Sequence, residues 1–130
     1  MQFNLTYTVY DIDKNGVKEL IVKTGICEAD YTYEFYTYQD GLVLLGTAHA
    51  GHSGLYIPND NNGLYLRYCP PPGDICYVSL YRITINKNQI KQETLYKDKE
   101  MSFDESDKFS TQYKYLEEIH ASDLSFLQDL

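Results

Sequence analysis

Apolar and polar residues alternate with a period of two from the start of the chain. Phe3, Leu5, Tyr7 and Val9 interleave with Asn4, Thr6, Thr8 and Tyr10, the pattern of a strand that lays one face on a core. A second run, Glu19 to Thr24, is stopped by Gly25, and a third spans Tyr31 to Tyr38. Asp40-Gly41 then turns the chain into Leu42-Val43-Leu44-Leu45; Asp-Gly between two such runs is the strongest short-range hairpin signal. His49 to Gly54 is small and glycine-rich and reads as a loop before Leu55-Tyr56-Ile57. The turn-forming stretch Pro58 to Gly63 delivers the chain into Leu64 to Tyr68. Beyond a proline turn, Tyr77 to Ile85 and Ile90 to Tyr96 flank Asn86 to Gln89 as a long hairpin. About eight strands are therefore expected by residue 97.

The texture then changes. Residues 98 to 107 are polar and acidic, and Tyr113, Leu116, Ile119 and His120 fall at helical spacing, continued by Leu124, Leu127 and Leu130. Asp104 or Ser106 is the expected cap of one helix and Ser122 of a second. The expected fold is mainly β, all-β or α+β: an antiparallel meander forming an open barrel or sandwich, with one or two C-terminal helices. At 130 residues the chain is expected to be one domain, a β meander over 1–97 and an acidic helical segment over 98–130.

Composition sharpens this picture. There are 14 tyrosines and no tryptophan, and 12 of the 14 lie in residues 1–97, where the strands are; aromatic residues fit the half-buried surface of a pleated sheet. Net charge is −8, and residues 98–130 carry nine Asp or Glu against three Lys, which accounts for −6 of it. A nucleic-acid partner is excluded on that balance, because phosphate neutralisation needs a basic surface. No apolar run is long enough for a membrane helix. Met1 leads directly into the first strand without an export signal, so the chain is either cytoplasmic or a mature piece of an exported precursor.

Three cysteines are present. Cys69 and Cys76 bracket Pro70-Pro71-Pro72-Gly73-Asp74-Ile75, and Cys27 has no sequence partner. The pair is open to two readings, a bridge worth roughly 2 to 3 kcal/mol or two free thiols at neighbouring strand ends. A zinc site is disfavoured because no second pair completes four ligands.

The stretch that carries chemistry is Asp11-Ile12-Asp13-Lys14-Asn15-Gly16-Val17-Lys18-Glu19. Hard cations such as calcium take six to eight oxygens, and a tight loop presents them from alternate positions with a glycine at the sharp turn. Here the expected ligands are Asp11, Asp13, Asn15, the Val17 carbonyl and Glu19, with Gly16 at the turn. Val22 stands where an EF-hand has its closing Glu, and the flanks are strands, so this is not an EF-hand. The competing reading is a plain turn in which Asx side chains bond their own backbone.

Tyr10 to Val22, followed by Tyr36-Thr37-Tyr38-Gln39-Asp40-Gly41 and Leu45-Gly46-Thr47, resembles a pattern of uncharacterised secreted or lipoprotein domains of clostridial-type, often gut-dwelling, Gram-positive bacteria. Their D-x-D-x-D/N-G loop is similar to FG-GAP-like calcium loops. The resemblance covers residues 7–97. It implies an extracellular or cell-surface setting and a calcium loop, and it implies no activity. Neutral Asn15, with Lys14 and Lys18 nearby, departs from the more acidic family loop and weakens its field.

Other candidates are weaker. His49 and His52 stand three apart in a glycine-rich loop without a third ligand. Gly51-His52-Ser53-Gly54 lacks the Gly that a nucleophile elbow needs at Leu55. Cys27 could act as a nucleophile only if His49 or His52 met it in space. Tyr56 and Tyr65, with His49, His52 and Ser53, form a candidate ligand surface on which sugar rings could stack, assisted by Asp60; the alternative is that most tyrosines are cross-strand packing partners. Two functions follow: a non-enzymatic extracellular β module that recognises carbohydrate or a cell-surface protein, or a small hydrolase or carbohydrate-active domain using the His49 to Ser53 loop. A third, a cytosolic domain whose acidic tail binds a basic protein, gains weight if Cys69 and Cys76 stand far apart and reduced.

Overall fold

A computed structural model describes residues 4–26, 30–70 and 75–120. Its strands are β1 (Asn4–Tyr10), β2 (Glu19–Gly25), β3 (Thr32–Tyr38), β4 (Leu42–His49), β5 (Ser53–Ile57), β6 (Leu64–Tyr68), β7 (Cys76–Asn86) and β8 (Gln89–Met101). Helix α1 (Phe103–Gln112) and the short strands β9 (Lys114–Tyr115) and β10 (Ile119–His120) follow. All pairings are antiparallel. One sheet runs β10-β1-β2-β3-β4 and the other β8-β7-β6-β5-β9, so the fold is the expected mainly-β sandwich with a C-terminal helix.

Alternation builds the core. Ile21 on β2, Tyr33 and Phe35 on β3, Leu45 and Ala48 on β4 face Leu55, Leu64, Leu66 and Ile83 of the second sheet in one buried cluster. A bulge between the Phe35↔Gly46 and Tyr36↔Leu44 pairs adds one residue to β4, and the added Leu45 drops into the core. Gly46 beside it leaves room for Ile90 of β8, whose Cγ1 would lie 2.7 Å from any Cβ there. The open edges of the two sheets meet at that contact. The turn before β6 depends on Gly63, at φ +71°, where a Cβ would fall 2.1 Å from the Ile83 carbonyl oxygen.

The C-terminal segment departs from expectation. The acidic stretch after residue 97 is still strand, since β8 pairs with β7 as far as Met101. The helix lies earlier than the apolar spacing predicts. Ser102, not Asp104 or Ser106, caps it, accepting from the Glu105 amide at 3.2 Å, and Asp104 and Glu105 suit the positive end of the helix dipole. Tyr113 is extended and ends it, its ring seated against Tyr65 and Phe109. Leu116, Ile119 and His120 are therefore not helical. Instead β9 pairs with β5 and β10 with β1, so that residues 114–120 strap the edge of one sheet to the edge of the other. The second helix expected after Ser122, with Leu124, Leu127 and Leu130, lies outside the described residues. Among the described residues no helix is long and apolar enough to cross a membrane.

Cys69 and Cys76 are free thiols, so the bridge is not formed. Strand register explains why. The last pair of the β6–β7 ladder is Tyr68↔Ser79, which carried one step further would set position 69 against 78 and leave Cys76 two places along. Such diagonal neighbours stand about 7 to 8 Å apart, beyond the usual reach of a disulfide.

Candidate functional site

The β1–β2 connection closes one end of the sandwich. Ile12 turns inward and is buried in the core, which pins the loop to the sheets. Asp11 then organises the turn: its Oδ1 accepts from the Asn15 amide at 3.2 Å and its Oδ2 from the Gly16 amide at 2.9 Å. Asn15 Oδ1 accepts from the Val17 amide at 2.9 Å. Lys14 at φ 57° and Gly16 at φ 93° supply the left-handed backbone that this path requires. Lys14 folds back over the Tyr10 ring and donates to its hydroxyl at 2.6 Å.

Glu19 occupies an inward position on β2, in line with Ile21, and is buried. Its Oε1 accepts from the Ile12 amide at 2.8 Å and its Oε2 from the Thr37 hydroxyl of β3 at 3.3 Å. Burial pushes its carboxyl above the ordinary range; the Ile12 amide and Thr37 pull it down, while Asp13 and Asp11 push it further up. One oxygen from each of Asp11, Asp13 and Glu19 lies within 4.8 Å of the others. Each carboxylate oxygen keeps a second lone pair, so this triad could hold a metal ion. Of the five residues expected to ligate, the three carboxylates are brought together. Asn15 Oδ1 accepts from the Val17 amide and, like the carboxylate oxygens, keeps a second lone pair. Thr37, a second-strand partner of Glu19, carried no sequence signal beyond its alternating inward place on β3.

No family model, curated protein or solved structure matches the chain. The site must be read from its own chemistry.

Of the candidate ligand surface, His49 stands apart from the other members. His52, Ser53 and Tyr56 line one open pocket of about 420 Å³ with Gly54, Arg67, Cys69 and Tyr115. His49 lies elsewhere, stacked on Tyr68 at 5.9 Å and 12°, and its carbonyl accepts from the Tyr68 hydroxyl. Tyr65 is the cross-strand partner of Tyr56; both rings meet Phe109 of α1, Tyr65 also meets Tyr113, and Arg82 lies over its ring. Asp60 is held by Arg82 at 3.2 Å and by the Asn62 amide at 3.0 Å, which locks the turn. Ser53 donates to the Ala50 carbonyl at 2.7 Å and meets the buried Tyr33 hydroxyl. The Ser53 proton thus goes to a backbone carbonyl. The Cys27 reading lies outside the described residues. Among the described residues, the triad in the β1–β2 loop is the one cluster of three metal-ligating groups, and it includes neither histidine.

Arg67 is a functional candidate that only the structure brings forward. On β6, Leu64 and Leu66 face the core, whereas Tyr65 and Arg67 face α1. A charge among apolar and aromatic strand residues is the signal that marks it.

Proposed function

We propose that this chain is a non-enzymatic β module of the cell surface, serving recognition or scaffolding, whose Asp11–Glu19 loop takes up calcium. The observation that carries the reading is the convergence of Asp11, Asp13 and Glu19 within 4.8 Å. Three carboxylates so close repel one another, and one of them is buried; a divalent cation relieves both costs at once. Oxygen-only donors favour a hard cation over zinc or copper. The extracellular setting follows the resemblance of the loop and of the Tyr36 to Thr47 segment.

Calorimetric titration of calcium into metal-free protein tests this. The expected result is one ion per chain with a Kd around 10⁻⁴ to 10⁻³ M, the range of extracellular modules. Asp13→Asn, an exposed change, should abolish the heat without unfolding the protein. Equal heats from both proteins would remove the site.

A further inference from the structure

Arg67 is 7% exposed and carries no carboxylate partner: the ion pairs among the described residues are Lys23–Glu118 and Arg82–Asp60. Its Nη2 donates to the Ser106 carbonyl and hydroxyl, each at 2.6 Å, and Phe109 lies beneath the guanidinium at 4.9 Å. Among the described residues no acceptor meets its buried Nε. A buried donor left unmade is rare and costly.

The same side chain helps wall three hollows. Two adjoin α1, where Asp107 lines one and Glu105 and Lys108 the other. In the third, the 420 Å³ pocket, Arg67 is the one permanent cation and no carboxylate lines the wall among the described residues. Tyr115 lines it too, its Cε2 2.9 Å from where a Cβ on Gly54 would stand, so a larger residue at 54 would displace the ring.

We propose that this pocket binds a small hydroxylated carboxylate of the acidic-sugar class, with Arg67 as its counter-charge. A guanidinium is planar, always charged and matched to a carboxylate. One cation suits one negative charge. A phosphate carries nearly two, and among the described residues the pocket offers no second permanent cation. The phenols of Tyr56 and Tyr115 give rings and hydroxyls of the kind that pack on a sugar. The inference supplies a ligand class for the recognition role proposed above, and it stands apart from the calcium loop, which lies on the other sheet.

The test is a titration of the wild-type chain in chelator with sodium galacturonate at constant ionic strength, following the arginine Nε–H resonances by NMR. The chain has two arginines, Arg67 and Arg82, so Arg82→Lys assigns them. The Arg67 signal should shift saturably with galacturonate, while galactose and inorganic phosphate bind at least about tenfold more weakly. Tyr115→Ala should weaken binding, and Arg67→Gln, where it folds, should abolish it. An Arg67 signal that does not move, or that moves equally with galactose or with phosphate, overturns the proposal. Because calcium is absent throughout, failure here leaves the loop reading untouched, and failure of the calcium titration leaves this one untouched.

Discussion

Glu19 holds a position that periodicity assigns to a core residue, in line with Ile21. It is tolerated there because both of its oxygens are hydrogen-bonded, to the Ile12 amide and the Thr37 hydroxyl. Glu19→Ala would strand those two donors, and a loss of roughly 1 to 3 kcal/mol is expected in urea unfolding. Glu19→Gln should behave differently, since an amide can accept from Ile12 and donate to Thr37. A carboxyl raised above its ordinary value of 4.5 contributes stability that is complete below that value and is lost as pH rises through the raised one. In chelator, the Gln variant should therefore gain on wild type as pH rises from about 4 to about 8; a difference that is flat or falls with pH would contradict the burial argument. Glycines separate in the same way. Gly63→Ala meets the Ile83 carbonyl at 2.1 Å and is expected to cost about 3 kcal/mol or more, whereas Gly41→Ala, at φ +131° with nothing within 4 Å, should cost about 1 kcal/mol. Equal midpoints for the two would count against the turn as described. The carboxylates of this loop were legible in the sequence because their spacing is local. Arg67 was not, since its partners Ser106 and Phe109 come from an element about forty residues away.

At the scale of elements, strands joined by short turns were readable, because alternation and turn residues such as Asp40-Gly41 act within a few positions. β6 (Leu64–Tyr68) needed nothing else. The C-terminal segment departs from its pattern for a physical reason: Tyr113, Leu116 and Ile119 have helical spacing, but each is held by a different tertiary partner. Tyr113 packs on Tyr65 and Phe109, the Leu116 amide donates to the Leu55 carbonyl at 2.8 Å, and Ile119 pairs with Tyr7. Between them Glu118 accepts from Lys23 at 3.1 Å and from Thr6 at 3.3 Å. This strap covers the edges of β1 and β5. Truncation after Gln112 should leave both unpaired and promote edge-to-edge association, seen as oligomers by light scattering at concentrations where the full chain is monodisperse. A truncated chain that matches the full chain in mass and stability would show the strap to be dispensable.

For the whole molecule, two sheets, a helix on the outer face of the second, and a strap along one side enclose a single core cluster. The loop that gathers Asp11, Asp13 and Glu19 is anchored in that core through Ile12, so an ion bound there would stabilise the fold as a unit and not the loop alone. With a Kd near 10⁻⁴ to 10⁻³ M, about 10 mM calcium should add roughly 1.4 to 2.7 kcal/mol by mass action. For a domain of this size that corresponds to a rise in Tm of about 5 to 10 °C. The most direct test is the thermal melt of wild type and Asp13→Asn in chelator and in calcium. The account predicts that calcium raises the wild-type Tm, that chelator reverses the rise, and that the variant shows none; an unchanged wild-type Tm in saturating calcium would contradict it.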